Sequence, residues 1–225
     1  MEKISGGELV VRCLLEEKVP FIFGVPGDQP YPIMDACYEH EDLIQWITFR
    51  HEAAAAHAAD AYARITGSPG VCLGTVGPGA ANLVPGVYVA HADSIPMVVL
   101  TAQNQTWKSY PAHGSMQSLD QLTLFKAITK WNVVVSHWKR IPELMQRAFR
   151  CATSGRPGPV HVDPANSVQS HYKMERCGLP LEKNTRNSSA GFSICYKWET
   201  RSGTHRYNTS IHTQTHTLVH TGSAR

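Results

Sequence analysis

The 225-residue sequence has no run of eighteen apolar residues, so no segment reads as a helix long enough to span a bilayer. Its first residues, MEKISGGELVVRCLLEEK, lack a basic stretch followed by an apolar core. That absence argues against a secretory leader and predicts a cytoplasmic protein. The six cysteines (13, 37, 72, 151, 177 and 195) form no C-x-x-C pair. Reduced thiols, some of them buried, are the expectation. A formal charge of +3 is too small to imply a nucleic-acid partner. Disorder throughout is excluded as well, because 42% of the residues are hydrophobic and can supply a core.

The charge that is present is unevenly placed. Residues 1–170 carry 13 Lys+Arg against 15 Asp+Glu, whereas residues 171–225 carry 8 against 3. Together with the change in composition, this divides the chain into an ordered domain over 1–168 and a basic, Ser/Thr/His-rich tail over 169–225. The first part alternates short apolar runs with helical stretches. The runs are PFIFGV (20–25), LIQWIT (43–48), VCLGTV (71–76), PMVVLT (96–101), WNVVVS (131–136) and PVHVD (159–163). Most are apolar throughout rather than alternating, as in strands covered on both faces. Ser5 and Glu8 stand in capping-box spacing before the first helix, and further helices are predicted near 30–40, 52–66, 79–91, 117–126 and 141–153. Six strands alternating with helices predict an α/β fold: a doubly wound, mostly parallel six-stranded sheet with helices on both faces.

In such sheets ligands bind beyond the carboxyl ends of the strands. The loops expected there are GVPGDQ (24–29), FRHE (49–52), GPGAAN (77–82) and the polar stretch QNQTWKSYPAHGSMQS (103–118). Glycines allow close backbone approach, and helix N-termini offer unpaired N–H groups. One acid, Glu52, opens the alanine-rich helix 52–66. By itself it reads as a first-turn acid complementing the helix dipole.

The blocks F-G-V-P-G (23–27), R-H-E-x-x-A (50–55), A-D-A-Y-A-R-I-T-G (59–67) and G-P-G-A-A-N (77–82) occur in that order. D-S-I-P-M-V-V-L-T (93–101), L-D-Q-L-T-L-F-K-A-I-T-K-W (119–131) and S-G-R-P-G-P-V (154–160) follow. Over about residues 3–165 this resembles the N-terminal, pyrimidine-binding domain of thiamine-diphosphate-dependent enzymes, in the acetolactate synthase and pyruvate oxidase branch. The resemblance implies that Glu52 hydrogen-bonds a ring nitrogen of the cofactor's aminopyrimidine. Its proton would favour the imino tautomer that deprotonates the thiazolium carbon, and the resulting ylid attacks a 2-oxo acid. An apolar surrounding suits a carboxyl group that shares a proton in this way. Pro26, Gly27, Thr75, Gly77, Pro78, Gly79 and Asn82 would surround the pyrimidine. Gln117 matches the glutamine of the family's F-Q-E block, which reads Met116-Gln117-Ser118 here, and His113 lies near it as a candidate acid or base. The alanines between 53 and 59 suit close packing, either within the domain or between subunits.

The resemblance also implies what this sequence does not carry. Family members hold the diphosphate through Mg²⁺ in a second domain marked by G-D-G, and this chain contains no G-D-G. A truncated half-site, inactive alone, is expected, as a homodimer or with a separate diphosphate-binding partner; no metal ligands are expected in this chain. The alternative is a stand-alone binding or regulatory module. The tail past GPVHVDP departs from the family: an altered reading frame, a basic arm and a small folded extension remain open for it. His212, His216 and His220 imitate the end of a zinc finger, but Cys177 and Cys195 are too far apart to complete one.

Overall fold

A computed structural model describes residues 4–104 and 116–169. His113 and residues 170–225, including the histidine series and the predicted tail beyond its first residue, lie outside that set. The described elements belong to one compact unit, Met1–Arg176.

Among the described residues six strands form a single sheet: β1 (Phe21–Gly24), β2 (Gln45–Thr48), β3 (Gly70–Leu73), β4 (Met97–Leu100), β5 (Trp131–Val135) and β6 (Pro159–Pro164). Their order is β2-β1-β3-β4-β6-β5, and every pairing is parallel. The fold is therefore the predicted doubly wound α/β sheet. β3, β4 and β6 are buried along their whole length, as the apolar runs of β3 and β4 require, while β2 is an exposed edge.

Helices α1 (Gly6–Glu16), α2 (Tyr31–Glu39) and α6 (Ile141–Thr153) pack together, α1 touching both of the others. Helices α3 (Glu52–Thr66), α4 (Pro78–Ala92) and α5 (Gln121–Lys126) form the second group, with α4 touching α3 and α5. A short α7 (Asn166–Gln169) follows β6, and the backbone of Val168 lies against Gly6. Beneath α3–α5 the core consists of residues such as Ala56, Ala59, Cys72, Leu83, Val87, Met97 and Phe125. Ala55, Ala56 and Ala59 turn inward, and Gly86 of α4 sits so close that a Cβ there would fall 2.5 Å from Ala56 Cβ. Within the domain, then, the alanine run serves internal packing of α3 on α4.

Local chemistry sets two boundaries differently from the expectation. Ser5 accepts the Glu8 N–H at 3.0 Å, but the Glu8 carboxylate turns to Arg12 and to His40 of the neighbouring chain segment at 3.0 Å, so half of the capping box forms. The helix expected near 117–126 begins only at Gln121, because Asp120 accepts the Thr123 N–H at 3.0 Å and caps it. Cys13, Cys37 and Cys72 are buried free thiols; burial pushes each up to about 12, so they are inert core residues. Among the described residues no helix is long and apolar enough to cross a membrane, and no three His, Cys, Asp or Glu side chains converge to hold a metal.

Candidate functional site

The chain leaves β1 for β2 on one side, then returns to place β3 on the other side of β1. The loops after β1 and β3 therefore separate at a switch point, where a crevice opens beyond the strand ends. Glycine lets these two loops meet. A Cβ on Gly27 would lie 2.6 Å from Thr75 Cβ, and one on Gly79 would lie 2.6 Å from Thr75 Cγ2. Thr75 is clasped between them, and its Oγ1 is buried with no hydrogen-bond partner among the described residues.

Glu52 reaches this place from β2. It is the first residue of α3, whose N-cap is His51: the imidazole Nδ1 accepts the Ala53 N–H at 3.2 Å. The Glu52 side chain is buried, at 7% exposure, although a helix-dipole acid could have stayed in solvent. Asn82, one turn into α4, donates from Nδ2 to Glu52 Oε2 at 3.0 Å. The other oxygen, Oε1, lies 3.0 Å from where a Gly79 Cβ would stand. One carboxylate oxygen is thus fixed by Asn82, and the other lies beside Gly79, against which Thr75 also packs. A carboxylate so placed can accept or share a proton with a planar nitrogen base, and Thr75 Oγ1 can supply a second polar contact.

The remaining expected residues divide. Gly77 caps α4 with φ +69°, a conformation that favours glycine, and Pro78 occupies the first turn, where its missing N–H costs nothing. A Cβ on Gly77 would come within 2.8 Å of Gln117 Cα, so the 117 backbone lies directly on the cap of α4. Pro26 and Pro78 are exposed on the rim, while Met116, where the family has an aromatic ring, is 83% exposed. The structure brings Gly27, Glu52, Thr75, Gly79 and Asn82 into one cluster, with Gly77 and Gln117 beside it.

A second polar cluster escaped the sequence reading. Just past the end of β4, Thr101 Oγ1 donates to Asp163 Oδ1 of β6 at 2.9 Å and lies 2.8 Å from Nε2 of His161 on the same strand. Gln103 and Gln121 each donate to Asp163 Oδ2 at 3.1 Å. The signal for it is the pair of polar residues two apart in the otherwise apolar run PVHVDP, which places both on one face of a buried strand.

The domain is thus an open, parallel α/β sheet with an acid at the mouth of one helix and a glycine-rich turn at the switch point, the place where sheets of this class bind their ligands. The chain belongs to the family described as thiamine pyrophosphate enzyme, N-terminal TPP binding domain, whose sequence profile matches residues 4–124. It is 49% identical over 166 residues to a probable acetolactate synthase large subunit of Methanococcus aeolicus, covering 74% of this chain and 27% of that protein. Against the corresponding protein of Methanocaldococcus jannaschii it is 46% identical over 180 residues, 80% of this chain and 30% of that one. The acetolactate synthase isozyme 3 large subunit of Escherichia coli is 42% identical over 175 residues, again 30% of its length. The chain thus spans under a third of the length of the curated relatives it matches.

Proposed function

We propose that this chain forms the pyrimidine-binding half of a thiamine-diphosphate-dependent 2-oxo-acid decarboxylase or carboligase of the acetolactate synthase kind. The observation that supports it most is the buried Glu52 carboxylate, held by Asn82 through Oε2 with Oε1 beside Gly79. When bound, thiamine diphosphate supplies the carbanion-forming thiazolium carbon and the electron sink for decarboxylation. This chain's residues would do the rest on the pyrimidine side. Glu52 would share a proton with a ring nitrogen, and Thr75 Oγ1, without a partner among the described residues, would meet a polar edge of the ring. Pro26, Gly27, Gly77, Pro78 and Gly79 would wall the ring, and Gln117 with His113 would face the 2-oxo acid. The residues present fit the pyrimidine and offer no counterpart for the diphosphate: among those described, no acidic cluster could hold Mg²⁺.

On this reading a diphosphate-binding domain, from a partner subunit or a longer chain, would complete the site, and these 225 residues alone would be inactive. Purified chain with pyruvate, thiamine diphosphate and Mg²⁺ should give no turnover. Turnover lost on Glu52→Gln would overturn the half-site reading. Binding is tested separately with thiamine, which carries the pyrimidine but no diphosphate: amide resonances of Glu52, Thr75 and Gly79 should shift. If they are indifferent to thiamine at millimolar concentration while other surfaces respond, the site assignment falls.

A further inference from the structure

Asp163 is the most unusual side chain outside the Glu52 cluster. It is fully buried at the end of β6 and makes no ion pair with any described residue. Its hydrogen bonds have a specific geography. Gln103 follows β4, where the chain departs on the excursion that carries Gln117, and Gln121 is the first residue of α5, where that excursion ends. Both side-chain amides donate to the same oxygen, Oδ2, at 3.1 Å. Gln121 also donates to Ala102 O at 3.0 Å, and the Asn104 N–H donates to Gln103 Oε1 at 3.0 Å. Asn104 further approaches Ser118 Oγ at 3.4 Å. A single carboxyl oxygen thus ties the departing strand to the returning helix. Four residues before Gln121, the Gln117 backbone rests on Gly77 at the cap of α4.

We propose that Asp163 is the positioning residue for the 117–121 segment, fixing Gln117 against Gly77 on the side of the pyrimidine site where the substrate would lie. This rests on the functional reading above for the meaning of the position, though the clamp itself is independent of any ligand.

The clamp is titratable. Burial pushes the Asp163 carboxyl up to about 7, against the opposing effect of hydrogen bonds from Thr101, Gln103 and Gln121. Among the described residues no charged side chain acts on it. Thr101 comes from the end of β4, Gln121 from α5, and His161, two residues earlier on β6, is reached through Thr101. Burial holds His161 down to about 3, so it is neutral, with the Phe125 ring of α5 tilted against it, centroids 4.3 Å apart. With Asp163 ionised, Thr101 donates to Oδ1 and His161 Nε2–H donates to Thr101 Oγ1. A proton added at Oδ1 reverses this order: the acid O–H donates to Thr101, the threonine hydroxyl donates to His161 Nε2, and the imidazole proton moves from Nε2 to Nδ1. Oδ2 keeps both amide donors, which become charge-assisted again when the proton leaves. Asp163→Asn reproduces the protonated form, since its amide NH₂ can face Thr101 while its oxygen accepts from both glutamines.

The test is NMR on the full chain. In the wild type, the ¹³C resonance of the Asp163 carboxyl should titrate near pH 7. The amides of Gly77, Gln117 and Gln121 should follow with the same midpoint. In Asp163→Asn these amides should stay at their low-pH positions throughout. Gln121→Leu, which removes one donor while leaving Asp163 in place, should raise amide hydrogen exchange over 117–121 by roughly tenfold, with β1 and β3 unchanged. A carboxyl that titrates while Gly77 and Gln117 ignore it would overturn the proposal, as would unaltered exchange in Gln121→Leu. These readouts need no cofactor. A clamp that behaves as stated in a chain whose Glu52 ignores thiamine would refute the cofactor reading alone.

Discussion

Gly86→Ala tests how α3, and with it Glu52, is held. The added Cβ would lie 2.5 Å from Ala56 Cβ and 2.9 Å from both Ala56 C and His57 N. Two of those three neighbours are backbone, so no side-chain rotation relieves the clash and α3 must move. Overpacking of this kind typically costs ~1–3 kcal/mol. Against it stands the gain from replacing a mid-helix glycine by alanine, about 1 kcal/mol. With two backbone atoms in the clash the cost lies at the upper end, about 3 kcal/mol, so the clash wins by roughly 2 kcal/mol, read as a melting temperature lower by roughly 4–8 °C in a domain of this size. Glu52 lies one turn before Ala56 on the same helix, so its bond to Asn82 should lengthen and the shift of its amide on adding thiamine should shrink. Gly67→Ala is the control. Its Cβ meets nothing within 4 Å, but its φ of +73° disfavours a side chain, so it should cost about 1 kcal/mol and leave thiamine responses intact. A Gly86→Ala chain as stable as the wild type would show that α3 and α4 are not in the contact described.

Gly79→Ala should do the reverse of Gly86→Ala. Its Cβ meets Thr75 Cγ2 at 2.6 Å and Glu52 Oε1 at 3.0 Å, both side-chain atoms that can yield, so the thermal melt should move little while the thiamine response is lost; an intact response would remove Oε1 from the site. With a diphosphate-binding partner supplied, Glu52→Gln should slow exchange of the thiazolium C2 proton by orders of magnitude, because an amide keeps a hydrogen bond but cannot cycle the proton. Its stability should change by under ~1 kcal/mol, the usual scale of a helix-terminus charge, and normal exchange measured by NMR would exclude Glu52 from the chemistry. Ser5→Ala should cost about 1 kcal/mol in urea denaturation by orphaning the Glu8 N–H, and an unchanged midpoint would mean that the cap contributes nothing.

The strands were legible because each buried run is bounded by glycine, proline or a polar cluster, and the burial of β3 and β4 is what their unbroken apolar character demands. Their spatial order was not. Inserting β6 between β4 and β5 depends on the handedness of long crossovers, which leaves no local trace in composition. Glu52 stood out through the blocks around it. Its partner did not: Asn82 was expected near the ring, and the structure places its amide on the carboxylate itself, a contact between residues thirty apart. Asp120 illustrates a local signal that was read too generously, since a good capping residue inside a helix-like stretch marks a start rather than a middle. The Asp163 cluster draws on β4, β6 and α5, so only its two residues on one strand left any pattern to read.

His161 and Asp163 together invert the ordinary order of acid strength. In an unfolded chain near pH 5 the imidazole is protonated and the carboxyl is not. In the fold, with His161 down to about 3 and Asp163 up to about 7, the carboxyl holds the proton and the imidazole does not. Folding at that pH turns an oppositely charged pair into a neutral one without taking up or releasing a proton. For Asp163 alone, the raised value makes stability greatest below the unfolded carboxyl value and loses it as pH rises toward 7. For His161 alone, the lowered value makes stability fall as pH drops from the imidazole range toward 3. Across the overlap between about 4 and 6.5 the two slopes cancel. Two buried ionisable groups that would each tilt the stability of this sheet with acidity leave it level together.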